Sequence, residues 1–76
     1  MPRLTPISRK KFEKFVIYVG CHFKRQKGDH LIYDRSDLKR PVVFATDREV
    51  PVHIISNNLR TLGISPEEYL EILKNL

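Results

Sequence analysis

Apolar residues recur at Phe12, Phe15, Val16 and Val19, the i, i+3, i+4, i+7 spacing of one helical face, with Ser8 ahead as a cap and Gly20 behind as a stop. A first helix is expected there. Three extended runs follow, His22 to Gln26, His30 to Arg35 and Pro41 to Thr46, the last two rich in Ile, Tyr, Val and Phe. They read as a small antiparallel meander. Lys27-Gly28-Asp29 is a tight hairpin connection in which glycine is free to take a positive φ, and Ser36 to Arg40 is a longer polar one. Pro41 has no N–H to give a ladder and belongs at the first residue of its strand. Beyond the connection Asp47 to Val52, Ile55, Leu59 and Leu62 repeat at i, i+4 and i+7 before Gly63 and predict a second helix. A third opens on Ser65-Pro66-Glu67-Glu68, a capping box with proline at the first helical position and two carboxylates at the favourable end of the dipole. Tyr69, Leu70, Ile72, Leu73 and Leu76 supply its apolar face. The α-β-β-β-α-α order predicts an α+β fold, a three-stranded antiparallel sheet with helices on one face and the other face open.

The chain has 76 residues. That suits one domain, 1–76, in which about 60–65% of the unfolded surface can be buried. Its 41% hydrophobic and 30% charged content is that of a folded globular protein. The longest apolar run, Phe15 to Val19, is five residues, and the opening residues hold no apolar signal core, so a membrane or secretory reading is set aside. One cysteine, Cys21, allows no internal disulfide and fits a reducing cytoplasm.

Charge changes the picture more. Up to Arg40 there are eleven basic and four acidic residues, net +7; from Pro41 onward there are three and five, net −2. Such asymmetry points to an anionic partner on the first half, nucleic acid first among them, against the plainer reading of a solubilising surface. Arg9, Lys10, Lys11 and Lys14 oppose the dipole of the first helix, which suggests another use for their charge.

His22, His30 and His53 form no i, i+4 pair and no HExxH pattern, and neither a serine triad nor a phosphate-cradling glycine loop is present. No metal and no cofactor is therefore expected. The remaining options are chemistries that need few groups. RNA cleavage is one, because the 2′-hydroxyl is a built-in nucleophile and an imidazole exchanges protons near neutral pH. His30 is the best candidate, at a strand start after a glycine turn, beside Lys27 and near Lys24 and Arg25; a plain surface histidine is the alternative. Arg35, Lys39 and Arg40 extend the basic track or simply solvate a loop.

Three stretches carry a family resemblance: Met1 to Ser8, Arg25-Gln26-Lys27-Gly28-Asp29-His30, and Leu59 to Tyr69 with its Leu-Arg-x-Leu-Gly-Ile-Ser run. Together they resemble the HicA toxins of toxin–antitoxin pairs over nearly the whole chain. The resemblance implies a fold similar to a double-stranded RNA-binding domain, a ribosome-independent mRNA endonuclease, and neutralisation by a HicB-type antitoxin. The family's Gly-Ser-His motif, with its catalytic histidine, falls on Gly28-Asp29-His30. Two departures stand out. Asp29 replaces the serine, and Val43-Phe44-Ala45 occupies the place of a Pro-x-His found in many members.

The resulting expectation is a metal-independent endoribonuclease with His30 as general acid or base and Lys24, Arg25, Lys27 and Gly28 contacting RNA. Lys27 or substrate-bound water is left as the second proton-transfer group. A non-catalytic RNA-binding module of the same fold, or a protein-binding subunit with a basic face, are the alternatives.

Overall fold

A computed structural model describes residues 3–76, so Met1 and Pro2 of the opening stretch lie outside the described residues. The elements are β1 (Ile7–Ser8), α1 (Arg9–Tyr18), β2 (His22–Lys27), β3 (His30–Asp34), β4 (Val42–Ala45), β5 (Glu49–Val50), α2 (Val52–Leu62) and α3 (Pro66–Leu73). Ser8 caps α1 by accepting from the Lys11 N–H at 3.2 Å, and Ser65 caps α3 by accepting from the Glu68 N–H at 3.1 Å. Gly63 ends α2 in the left-handed conformation. Pro41 stands just ahead of β4 rather than within it.

β2, β3 and β4 form the expected three-stranded antiparallel sheet in that order. The fold is α+β, compatible with that of a double-stranded RNA-binding domain. One addition corrects the predicted order: β1 pairs antiparallel with β5, Ile7 opposite Val50 and Ser8 opposite Glu49. Two-residue strands are too short to show a period of two, so the segment 47–52 reads as plain connection in the sequence. This ribbon fixes the start of α1, whose first amide, Arg9 N–H, donates to the Arg48 carbonyl at 2.8 Å.

Phe12, Phe15 and Val16 of α1 meet Leu31 and Tyr33 of β3, Val42 and Phe44 of β4, Ile55, Leu59 and Leu62 of α2, and Tyr69 of α3 in one core. Aromatic rings dominate it. Phe12 meets Phe44 edge-on at 5.0 Å, Phe15 meets Tyr69 edge-on at 4.8 Å, and Tyr33 stacks on Phe44 at 5.6 Å. Such pairs add about 0.5–1.5 kcal/mol each beyond the area they bury. α1 and α2 therefore press on the sheet face that carries Leu31, Tyr33, Val42 and Phe44, α3 joins them through Tyr69 against Phe15, and the opposite face is left to other work.

Several basic residues of the first half serve the fold. Arg9 pairs with Glu13 at 3.3 Å, and the Lys11 ammonium donates to the Leu76 carbonyl oxygen at 2.8 Å. Arg35 is clamped by Asp37 and donates to the Val19 carbonyl. Its charge is thus committed to holding the end of α1 against the loop after β3, not to extending a basic track.

The edges of the sheet are treated differently. On the β4 side, the buried Asn58 of α2 donates to the Val43 carbonyl at 3.0 Å and accepts from the Val43 N–H at 3.4 Å, standing in for a further strand. On the β2 side all six residues are exposed. A bulge and three cations there oppose edge-to-edge pairing with another chain.

Candidate functional site

The site is built on the β2–β3 hairpin. Its two-residue turn, Gly28-Asp29, has φ of +60° at Gly28 and no positive φ at Asp29, the sign pattern of a type II′ turn. Only glycine takes that first position without strain, although a side chain there would point into open space. The turn is tied down on both sides: Gln26 Nε2 donates to the Gly28 carbonyl at 3.0 Å, and the Thr46 N–H donates to the Asp29 carbonyl at 2.8 Å. The tip of the hairpin is thereby fixed to the end of β4.

Register then decides which side chains share a face, since directly opposed residues point the same way. Lys27, His30 and Ala45 form one row across the three strands; Arg25, Ile32 and Val43 form the next. Both rows lie on the face away from the helices, because the alternate positions Leu31, Tyr33, Val42 and Phe44 point into the core. The register slips between Phe23 and Arg25, making Lys24 the extra residue of a bulge. That slip keeps Phe23 beside Tyr33, ring to ring at 5.6 Å on the core side, while turning Arg25 and Lys27 to the open side.

His30 is 57% exposed, and its Nδ1 lies 3.1 Å from Asp29 Oδ1. The contact places a negative charge against the ring without an N–H···O hydrogen bond, and the imidazole stays open to solvent. Lys27 is its cross-strand neighbour on one side and the small Ala45 on the other. Arg25 stands one row away. Lys24 does not join them: its ammonium is 3.7 Å from Asp34, at the opposite end of β3 from His30. Of the three cations expected around the imidazole, Lys27 is adjacent, Arg25 is near, and Lys24 is partnered elsewhere.

The other histidines stay apart from this cluster. His22 faces Asp34 at the start of β2, and His53 is exposed in the first turn of α2. Among the described residues no three His, Cys, Asp or Glu side chains gather as a metal site. Cys21 is buried, and that burial pushes its thiol up, away from the reactive thiolate.

A second feature has no counterpart in the sequence pattern. A groove of about 840 Å³ runs between the loop after β3 and the C-terminal half of α2, with Lys39, Arg40, Arg60, Asn57 and Thr61 on its walls. Arg60 falls in the acidic half of the chain, so a charge count by halves hides it.

A family model described as HicA toxin of bacterial toxin-antitoxin matches residues 9–64. That span runs from the first residue of α1 to just past α2 and includes the whole hairpin. Neither the curated proteins nor the solved structures yield a match.

Proposed function

The chain belongs to the HicA toxin family of bacterial toxin–antitoxin systems, and from that premise we propose that it is a metal-independent endoribonuclease that cleaves mRNA at the β2–β3 hairpin and is neutralised by a HicB-type antitoxin in the cytoplasm. Residues 1–76 act as a single toxin domain. The observation that carries the reading is the row Lys27–His30 beside Asp29, three ionisable groups of different kinds on one exposed, doubly anchored turn.

In this mechanism His30 Nε2 takes the proton of the 2′-hydroxyl as the oxygen attacks the adjacent phosphorus. The P–O bond to the 5′-oxygen of the next nucleotide breaks, that oxygen takes up a proton, and a 2′,3′-cyclic phosphate is left. Lys27, on the neighbouring strand, faces the same space and supplies positive charge to the phosphoryl oxygens as negative charge builds there. With alanine at position 45, Lys27 or bound water is the source of the second proton. Asp29, 3.1 Å from Nδ1, stabilises the imidazolium that forms when His30 takes the proton, and its own negative charge near the phosphate is the cost of that arrangement. Arg25, and Gly28 through its backbone, complete the contacts to RNA.

The test is a substrate in which the nucleotide at the cleavage site alone is 2′-deoxy. Cleavage should stop on that substrate and persist on the all-ribose one in excess chelator. Cutting of the deoxy substrate would make water rather than the 2′-hydroxyl the nucleophile, and loss of all-ribose cleavage in chelator would assign the reaction to a metal.

A further inference from the structure

The groove between the loop after β3 and α2 is concave and cationic on both walls, over a floor that includes the apolar Leu38, Pro41 and Leu62. Lys39 and Arg40 stand on the loop wall and Arg60 on the helix wall. None of the three forms an ion pair among the described residues, whereas Arg35 on the same rim is neutralised by Asp37. Exposed cations facing one another across a cleft repel unless an anion lies between them. The helix wall also presents the Asn57 amide, a group that bonds to sugars and phosphates, while the Thr61 hydroxyl donates back to the Asn57 carbonyl at 3.3 Å. Among the described residues no aromatic ring lines the cleft, so it offers a base nothing to stack on and a protein partner no aromatic anchor.

The groove shares one residue with the sheet face that carries the hairpin site. Val43 lines it and is the β4 member of the row Arg25, Ile32, Val43, which lies next to the row holding Lys27 and His30. From His30 to Val43 is one strand across and two residues along, roughly 8 Å. A chain leaving His30 across β4 enters the cleft at Val43.

We propose that this groove is a second RNA subsite, which grips the phosphodiester backbone of the strand running on from the cleavage point without reading its bases. The proposal rests on the RNA-cleaving reading of the hairpin, and gives it a direction along the substrate. Binding should therefore strengthen with RNA length until the groove is filled, and the added affinity should be salt-dependent and indifferent to sequence.

The experiment measures affinity for 2′-O-methyl RNA from dinucleotide to decamer, a probe that binds whether or not His30 cleaves. The parent protein is compared with the triple variant Lys39→Ala/Arg40→Ala/Arg60→Ala, whose three sites are exposed, with thermal melting as the folding control. The variant should lose the gain in affinity with length, and its salt slope on the decamer should fall by about 2, at ~0.7 for each phosphate that is no longer neutralised. Conserving charge with Arg60→Lys in an otherwise parental protein should keep most of the slope, since the interaction is electrostatic. A slope and length dependence identical to the parent would overturn the proposal. So would unchanged RNA binding with weakened antitoxin binding, which would make the groove a protein interface. Neither result bears on whether His30 cleaves, and failure of the cleavage reading would leave this binding measurement interpretable.

Discussion

Asp29 Oδ1 lies 3.1 Å from His30 Nδ1, so the residue at the centre of the turn touches the imidazole that the turn presents. Two effects with opposite signs follow from that contact. The carboxylate stabilises the imidazolium that forms when the ring takes a proton, and it repels a phosphate.

Both side chains are largely exposed, His30 57% and Asp29 78%. Exposed charged pairs are worth roughly 0.2–1 kcal/mol, which corresponds to a rate effect of about 1.5- to 5-fold. Asp29→Asn should lower kcat by that factor and also lower KM, because the repulsion disappears with the charge. Steady-state cleavage kinetics separate the two; a fall in kcat with a rise in KM would contradict the assignment.

Gly28 carries a backbone constraint with no packing component. Gly28→Ala introduces a Cβ that meets nothing within 4 Å yet sits at φ +60°. The expected cost is therefore conformational, about 1–2 kcal/mol in urea unfolding. A neutral substitution would mean that the turn readily adopts another geometry.

Asn58 closes the β4 edge with two hydrogen bonds to the Val43 backbone. Asn58→Ala leaves that N–H and carbonyl without protein partners and should destabilise the fold by about 1–3 kcal/mol. Hydrogen exchange at the Val43 amide should rise at the same time, which distinguishes opening of the edge from general loosening of α2.

Two tyrosines give the protein an alkaline limit. Burial and then the Glu13 hydrogen bond push Tyr33 up to about 12, and burial alone pushes Tyr69 up to about 12. In the unfolded chain both ionise near 10, so the folded state holds its protons longer. Stability from this source is complete below pH 10 and is lost as pH rises toward 12. The hydroxyls differ in partners: Tyr33 donates to Glu13 at 3.0 Å, while that of Tyr69 is buried with none among the described residues. Tyr33→Phe should cost about 1 kcal/mol at neutral pH, and Tyr69→Phe should be neutral or stabilising. Each should reduce the alkaline loss, read from urea midpoints across that pH window.

Much of this architecture is legible in the sequence where one local rule governs. Ser8, Gly63 and Ser65 mark helix ends through their own backbone chemistry, and Gly28 between two extended runs marks the hairpin. The face of each β2 side chain is not legible. Strict alternation would put Phe23, Arg25 and Lys27 on one side, and the bulge at Lys24 separates Phe23 from the other two. The sequence also cannot show that Lys24 turns to Asp34, or that Arg35 is held by Asp37 and Val19, because those partners are set by tertiary register. The groove is hidden for a related reason. It joins Lys39 and Arg40 to Arg60, twenty residues away, across an approach of helix to loop that no periodicity encodes.

The central claim is that the exposed imidazole of His30 transfers a proton in RNA cleavage. Single-turnover cleavage of an RNA by the parent and by His30→Ala tests it most directly, with thermal melting to establish that both are folded. The account predicts a fall of roughly 10² to 10⁴ in rate with an unchanged melting temperature, the scale of a general acid–base group. Equal cleavage by a folded His30→Ala protein would contradict it and remove His30 from the chemistry.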